Sequence, residues 1–412
     1  MTVSYWQDAR AQKTAGKVDV AIIGGGIMGA ASAYWLSKRK GLKVAVFEAQ
    51  KRAWGASGRG AGFAVRTLFA YYNQAIAAYG RDAAKWLLHF NEESLQLISQ
   101  FVEVHGNKCS YEQCGSYLLA CSQEELRELE ESAQLMRDDG FDAEFCPTDP
   151  LCRGYLGGLY NRCDIGINTS QLVNMLFEIS GAAVYEQEPV WRIEGASDGS
   201  IKVISIGHEV VCSRLLLTTN AYSALLEPWF HDKIQPVRGQ ILVTKPLASR
   251  IIDAMCSANY GWDYFRQLPD NRFLLGGRRF MQRAEEVGFT DMVTEPIQTA
   301  LHSYLTEYFP EVAQLPVDYR WSGVMAFTRD ELPMIGELIQ QPVVADADKI
   351  GTLPGAFYAV GCNGHGLAHS FALAKLLVEV ALDGASAKAF AAERLTKRTS
   401  QPTWSHAQQP GS

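Results

Sequence analysis

The sequence lacks the features that usually identify membrane, nucleic-acid-binding and metal-cluster proteins. No apolar run reaches the length of a transmembrane helix, because glycines interrupt the apolar stretch 18–36. There is no basic block, and 38 lysines and arginines against 45 aspartates and glutamates leave a net charge of −7, which disfavours nucleic acid as a partner. The nine cysteines form no C-x-x-C pair, so neither a metal site nor a redox disulfide is indicated.

The N-terminal stretch 1–17 is polar and has no apolar segment typical of a signal peptide. We expect the cysteines to be mostly buried thiols in a reducing compartment, which favours a cytoplasmic protein without a membrane span. The chain has 412 residues, of which 47% are hydrophobic and 20% charged. This length and composition suit two interleaved domains with a sizeable core.

The N-terminal part contains a complete dinucleotide-binding pattern. A β-branched run at 18–23 predicts a buried strand, residues 24–29 form a G-x-G-x-x-G, 30–39 suit a helix, and a second strand at 42–47 ends in Glu48. The helix N-terminus would face the pyrophosphate, and Glu48 would accept hydrogen bonds from the adenosine ribose, which disfavours a 2′-phosphate. The predicted contacts are Gly24, Gly26, Ile27, Met28, Gly29, Glu48 and Ala49.

This pattern alone does not separate FAD from NAD. The small-residue loop 54–63 suits close passage beside a flat ring, although a flexible surface loop explains it equally well. A second strand–turn–helix unit follows far along the chain, with a strand at 356–360, the glycine-rich turn 361–367 and an apolar helix at 368–382. A second helix N-terminus suits the electron-rich edge of a reduced flavin, so FAD is favoured.

These motifs as a set resemble the D-amino acid oxidase family, and within it the glycine oxidase, sarcosine oxidase and γ-glutamylputrescine oxidase branches. The set comprises the N-terminal pattern, the loop G-A-S-G-R-x-A-G, Arg238-Gly239-Gln240 and the terminal G-x-N-G-H-G. Tyr264 to Gly277 and the stretch from Trp321 to Gly336 match in the same order, so the resemblance spans about 18–395.

The resemblance implies an α/β fold with a Rossmann-like, GR2-type FAD-binding domain and a second α+β substrate domain built on an antiparallel sheet. The implied division is an N-terminal extension 1–15, FAD-binding segments 16–95, 150–235 and 325–395, substrate segments 96–149 and 236–324, and a disordered tail 396–412. It also implies further cofactor contacts. These are Ser57, Arg59, Gly60, Ala61, Gly62, Val190, Thr219, Asn220, Gly361, Asn363, Gly364, His365, Gly366 and Leu367.

The implied activity is oxidation of a C–N bond of a small amine or amino acid, with hydride transfer to flavin and hydrolysis of the resulting imine. Oxygen or another acceptor would then take the electrons. This chemistry demands positioning and exclusion of water more than reactive side chains, so we assign no catalytic residue. Two alternatives remain: a flavin hydroxylase reduced by NAD(P)H, and a non-catalytic FAD-binding subunit of a larger dehydrogenase complex.

The sequence departs from these relatives at the positions that anchor a substrate carboxylate. Met325 stands where glycine oxidases carry an arginine, and Ala368 stands where sarcosine oxidases carry a lysine. Either the substrate has no α-carboxylate or another cation binds it; Arg66 and Arg266 are candidates, although a structural role suits each of them equally.

The flavin-linking cysteine of sarcosine oxidases has no counterpart at Gly323 or Val324, so we expect non-covalent FAD. Their oxygen-activating lysine falls near Leu274, which leaves a dehydrogenase open.

Aromatic residues and one histidine complete the predicted substrate site. Tyr264 matches a family tyrosine at the substrate, and Trp321, Phe265 and Phe327 could form an apolar cage for an amine, with core packing as the alternative. His365, within the terminal G-H-G, is expected to face the flavin or the substrate, although a packed structural histidine is the alternative.

Overall fold

The computed structural model describes residues 13–68, 70–340 and 351–396. Most of the predicted N-terminal extension and nearly all of the predicted tail lie outside these residues. The helices are α1 (Ile27–Ser37), α2 (Ala56–Arg59), α3 (Tyr72–Tyr79), α4 (Arg81–His105), α5 (Gln123–Asp138), α6 (Thr169–Ser180), α7 (Ser223–Leu226), α8 (Glu295–Tyr308), α9 (Pro310–Ala313) and α10 (Gly366–Asp383). Short 3₁₀ turns occur at Asn220–Tyr222, Pro228–Phe230, Arg279–Gln282, Lys388–Phe390 and Ala392–Thr396.

The strands form two large sheets and one small pair. They are β1 (Lys13–Ile23), β2 (Val44–Phe47), β3 (Phe63–Ala64), β4 (Ser116–Ala120), β5 (Glu144–Cys146), β6 (Gly157–Asn161), β7 (Ile165–Gly166), β8 (Ala183–Tyr185), β9 (Val190–Gly195), β10 (Ile201–Ser205), β11 (His208–Leu217), β12 (Gln235–Pro246), β13 (Met255–Ala258), β14 (Asp263–Gln267), β15 (Arg272–Gly277), β16 (Val317–Phe327), β17 (Met334–Gln340) and β18 (Gly351–Val360).

The first sheet is the Rossmann-like half of the molecule. Its strands β18, β11, β1, β2 and β8 run parallel, β17 pairs antiparallel at the β18 edge, and the β9–β10 hairpin attaches to β11. Helices α1, α6 and α10 pack together on one face. Residues 20–23 of β1 are buried throughout, as expected for a parallel strand covered on both faces. The predicted strand at 18–23 is confirmed, but β1 begins earlier, and α1 begins at Ile27 rather than at Ala30.

The second sheet has eight strands in the order β16-β12-β15-β14-β13-β4-β6-β5, antiparallel except for the β13–β4 pair. Helix α8 packs against it through Ile297 and Leu301, which contact a cluster containing Phe265 and Phe273. This confirms the expected antiparallel sheet, and Phe265 belongs to its core. Strand β6 also belongs here, although the predicted division placed 150–235 with the first sheet.

Two further features are the state of the cysteines and the length of the apolar helices. All nine cysteines are free, but only four are buried, whereas Cys121 and Cys152 are exposed, so the expectation of mostly buried thiols was wrong. In the part of the chain that the structure describes, no helix is long and apolar enough to cross a membrane.

Candidate functional site

The first glycine turn brings the end of β1 against the start of α1. A Cβ atom on Gly29 would lie 1.9 Å from the Gly24 carbonyl oxygen, and Gly24 itself has φ +114°, so both positions require glycine. The Gly26 N-cap has no side chain to cap the helix, and the Ile27 N–H donates to Ser57 Oγ at 2.9 Å. The remaining first-turn N–H groups have no intrahelical acceptor, which suits a pyrophosphate.

Glu48 lies at the end of β2, where the sequence placed it. Its Oε2 accepts the Gly25 N–H at 2.7 Å and its Oε1 accepts the Gln50 N–H at 2.8 Å. Burial raises the pKa of the Glu48 carboxyl, while these hydrogen bonds oppose the rise. The neighbouring Ala49 has only its sequence position to support a cofactor contact.

The loop 54–63 is hydrogen-bonded to strand β16 of the second sheet. Arg59 donates from Nε to the Trp54 carbonyl at 2.9 Å and from Nη1 to the Ser322 carbonyl at 2.8 Å. The Trp321 indole N–H in turn donates to the Arg59 carbonyl at 2.8 Å. Trp321 therefore holds this loop in place, which favours a positioned loop over a mobile surface loop. Gly60, Ala61 and Gly62 follow immediately in the chain.

Two asparagines hold the second glycine turn. Asn220 comes from an earlier part of the chain, and Asn363 lies within the turn. Asn220 Oδ1 accepts the N–H groups of Gly361 and Cys362 at 3.0 and 3.1 Å. Asn363 Oδ1 accepts the Thr328 N–H at 2.8 Å, and its Nδ2 donates to the Gly361 carbonyl at 2.6 Å. Both side chains, predicted as cofactor contacts, thus shape the turn that leads into α10.

Three further residues around the two turns have structural partners. Thr219 Oγ1 lies 2.8 Å from Ser223 Oγ, and Val190 is buried in the core of the first sheet. Thr218 belongs to the stretch 218–221, which resembles a flavin-facing segment of the family, but it was not predicted as a cofactor contact; it donates from Oγ1 to the Ile23 carbonyl at 2.9 Å. Its position at the end of β11, beside β1, was the available signal.

Three predicted substrate residues lie together beside the second turn. A Cβ atom built on Gly239 would lie 3.1 Å from Met325 Cε and 3.7 Å from the Tyr264 hydroxyl. A Cβ atom on Gly364 would lie 3.5 Å from Met325 Sδ and 3.9 Å from Phe327 Cζ, so Phe327 belongs to the same group. His365 follows Gly364, and its Nδ1 lies 3.0 Å from the Asn363 carbonyl oxygen. We refer to Tyr264, Met325, Phe327 and His365 as the apolar face.

The two candidate arginines are occupied by protein partners. Arg66 is 1% exposed and donates to Glu92 at 2.7 Å and to Asn161 Oδ1 at 2.8 Å. Arg266, also buried, donates to the Gly62 carbonyl at 3.1 Å and to Glu112 at 3.3 Å. This geometry favours the structural alternative for both residues.

Two charged residues near the apolar face escaped the sequence reasoning. The Arg279 guanidinium lies over the Trp262 ring at 4.3 Å and over the Phe327 ring at 5.0 Å from the ring centroids. Glu331 lines the same cavity as His365. In the sequence, Arg279 is marked only by its position directly after Gly276-Gly277-Arg278, and Glu331 only by its position two residues before Pro333.

The electrostatics of this region follow mainly from burial. Burial raises the pKa of Tyr264 to about 12, although Arg279 opposes the rise, so the phenol stays neutral. Burial and the positive charge of Arg279 lower the pKa of His365, which is therefore neutral at pH 7. Burial and neighbouring Asp330 raise the pKa of Glu331 to about 7.

These features fit FAD. The first turn packs too closely for Cβ atoms at Gly24 and Gly29, the start of α1 adjoins it, and Glu48 follows β2 as the ribose-binding acid of a dinucleotide-binding pattern does. Helix α10 begins at Gly366, and its N-cap residue His365, which belongs to the apolar face, does not cap the helix with its side chain. In the described residues, no cluster of His, Cys, Asp and Glu side chains is arranged to hold a metal ion.

Comparison with known proteins agrees with this fit. A family model for FAD dependent oxidoreductases, abbreviated DAO, matches residues 19–380. The probable oxidoreductase OrdL of Haemophilus influenzae is 25% identical over 390 residues, covering 88% of this chain and 83% of that protein. Gamma-glutamylputrescine oxidoreductase of Escherichia coli is 24% identical over 379 residues, covering 88% and 83%.

Solved structures show the same fold. The crystal structure of glycine oxidase from Geobacillus kaustophilus matches with a TM-score of 0.74 at 22% identity, covering 93% of this chain and 100% of that one. Family model, fold and glycine turns agree, and the chain therefore belongs to the DAO family of FAD dependent oxidoreductases and binds FAD.

Proposed function

We propose that this enzyme oxidises a C–N bond of a small amine or amino acid. The observation that carries the proposal is the apolar face beside the second glycine turn, where Tyr264, Met325, Phe327 and His365 adjoin the start of α10. The names of two relatives, glycine oxidase and gamma-glutamylputrescine oxidoreductase, support the same class of substrate.

FAD would be held by the first-turn N–H groups of α1, by Glu48, by the loop 54–63 and by the second turn. When bound, it would supply the acceptor for a hydride from the carbon next to the nitrogen. The substrate nitrogen then forms a C=N double bond and loses a proton, and water hydrolyses this imine to a carbonyl compound and a free amine or ammonia. Oxygen or another acceptor receives the two electrons.

The protein's own contribution is positioning in a dry environment. Met325 and Phe327 present apolar atoms where the substrate carbon would lie, which keeps water from the reacting bond. Tyr264 and His365 are both neutral at pH 7, so neither repels a neutral amine. Glu331, with its pKa near 7, suits exchange of a proton with a substrate ammonium group.

The test is the visible absorption of the flavin-loaded protein under anaerobic conditions while amines and amino acids are added. Bleaching of the oxidised-flavin band by one substrate class supports C–N oxidation. Bleaching by NAD(P)H alone supports the hydroxylase alternative instead. A flavin that neither class bleaches favours a non-catalytic FAD-binding subunit.

Two properties of the cofactor site extend the proposal. We expect non-covalent FAD because residues 323 and 324 are Gly and Val, so acid precipitation should leave the yellow colour in the supernatant. We also expect slow reoxidation by oxygen, because Leu274 stands where the oxygen-activating lysine would be. An artificial electron acceptor should then reoxidise the reduced protein faster than air does.

A further inference from the structure

Arg279 begins the 3₁₀ turn that follows β15 and lies at the border of the apolar face. Its guanidinium lies over two aromatic rings, 4.3 Å from the centroid of Trp262 and 5.0 Å from that of Phe327. Phe327 is two residues beyond Met325 on β16. Stacked rings hold the plane of a guanidinium while leaving its N–H edge available for an anion.

Among the residues that the structure describes, Arg279 has no acidic partner, in contrast to Arg238 and Arg278 beside the site. Arg238 forms a two-point pair with Glu286, at 2.9 and 2.8 Å, and Arg278 contacts the buried Asp263 at 3.3 Å. Within residues 13–68, 70–340 and 351–396, the Arg279 guanidinium forms no hydrogen bond and no ion pair. The negative charge of Glu331 raises the pKa of Arg279, but the two side chains form no ion pair among these described residues.

The charge of Arg279 persists at neutral pH. Burial lowers the pKa of Arg279 to about 10, which still leaves the group protonated at pH 7. A cation that is partly withdrawn from water and has no protein counter-ion gains most from an anion that enters the site.

Tyr264, whose hydroxyl pKa responds to the charge of Arg279, supplies a second donor in this region. Its hydroxyl has no hydrogen-bond partner among the residues that the structure describes. A Cβ atom on Gly276 would lie 2.6 Å from this hydroxyl, so the absence of a side chain there makes room for the tyrosine. A carboxylate can accept from a phenol and a guanidinium together.

We propose that Arg279, assisted by Tyr264, binds a carboxylate of the substrate, so that the substrate is an amine that carries an acid group. This inference rests on the proposed C–N oxidation. It supplies the anchor that is missing at Met325 and Ala368, and it comes from a different segment of the chain. Arg279 therefore determines specificity and is not assigned a chemical step.

The test uses matched pairs that differ only by a carboxylate: N-methylglycine and dimethylamine, alanine and ethylamine, proline and pyrrolidine. Each compound is added anaerobically to the flavin-loaded protein, and flavin reduction is followed against concentration. We expect only the carboxylate-bearing member of a pair to reduce the flavin efficiently. The Arg279→Met variant should weaken its apparent binding by about 30-fold or more, because truncating one partner of a charged pair has effects of that size.

Arg283→Met is the matched control, since Arg283 lies over the same Trp262 ring at 4.7 Å and carries the same charge. We expect it to bind the substrate within about twofold of the parent protein, as a charge outside the contact contributes little. Arg279→Lys, which keeps the charge but loses the two-point geometry, should fall between the two variants. If Arg279→Met does not take up FAD, Arg279→Lys carries the comparison.

A second readout does not need turnover. Acetate and propionate, which cannot be oxidised at a C–N bond, should perturb the oxidised-flavin spectrum of the parent protein and of Arg283→Met, but not of Arg279→Met. If no amine reduces the flavin and these acids still bind through Arg279, the proposed oxidation fails while the anchor stands. If dimethylamine and N-methylglycine reduce the flavin equally well, or if Arg279→Met keeps the preference for the acid, the anchor is refuted and the oxidation stands.

Discussion

The two glycine turns have the same local design but are held in different ways. The first, at Gly24 to Gly29, is shaped mainly by its own backbone and by residues of the next 30 positions, Glu48 and Ser57, and Thr218 adds one distant contact, to the Ile23 and Gly24 carbonyl oxygens. The second, at Gly361 to Gly366, is held by Asn220, a residue 141 positions earlier in the chain. A local turn can be recognised from sequence, whereas a turn held mainly by a residue distant in sequence depends on partners that only the folded chain brings together.

The largest effect is expected for a side chain inside the first turn. In Gly29→Ala the new Cβ atom would lie 1.9 Å from a backbone oxygen, so either α1 or β1 must move. We expect a loss of about 3 kcal/mol or more in the free energy of unfolding. We also expect purified protein without flavin, measured by the ratio of flavin to protein absorption.

The control for this variant is Gly41→Asn, outside the residues assigned to the cofactor, where the added Cβ atom would have no neighbour within 4 Å and asparagine tolerates the φ of +81°. This protein should keep its flavin. If Gly29→Ala also retained full flavin occupancy, the close approach of helix and strand would not be required for cofactor binding.

The next effect tests the second turn. Asn220→Ala leaves the N–H groups of Gly361 and Cys362 without their acceptor, which should lower the free energy of unfolding by about 2 kcal/mol. Asn220→Asp retains an acceptor oxygen and tolerates the φ of +46°, so it should recover most of the loss. Urea unfolding of the flavin-loaded proteins measures both values. Equal stability of the two variants would contradict the assigned role of the side chain.

This difference between the turns also explains what the sequence could predict. The strand, turn and helix around Gly24 depend on periodicity and on glycine, so they were found together with Glu48. The roles of Asn220 and Asn363 were not, because each side chain bonds a backbone group whose position is set by the tertiary fold. The pairing of β6 with β4 in the second sheet was also not predicted, because tertiary packing determines which strands pair.

The arginines show this limit at the site itself. Arg66 and Arg266 were candidates because of their sequence neighbours, yet Glu92 and Glu112 pair with them in the fold. Arg279 had no motif to mark it. A sequence shows which residues carry charge, but the partner that satisfies a charge is a property of the three-dimensional structure.

A smaller effect is expected at the acid of the first turn. Glu48→Gln keeps one oxygen acceptor but loses the charge, so it cannot serve Gly25, Gln50 and a ribose equally well. We expect about a tenfold weaker affinity for FAD, in line with the loss of a charge-assisted hydrogen bond. Reconstitution of the apoprotein, followed by flavin fluorescence, gives this value. Glu103→Gln, an exposed site on α4, should bind FAD normally, and an unchanged Glu48→Gln would place the ribose elsewhere.

The smallest effect concerns Glu331, the acid that lines the cavity beside the second turn. Its folded-state pKa of about 7 lies above the ordinary 4.5, so between these values the folded protein holds a proton that the unfolded chain has released. The contribution of Glu331 to stability therefore falls as the pH rises through this window and stays constant above it. The Glu331→Gln variant has no titrating group at this position. The melting temperature of the variant minus that of the parent protein should therefore increase from about pH 4.5 to about pH 7. Asp164 and Asp263, whose pKa values are raised to about 6 by burial, titrate in both proteins and cancel in the difference. A difference in melting temperature that does not vary across this range would show that Glu331 is solvated like an ordinary surface carboxylate, and that the second turn, unlike the first, has no buried acid beside it.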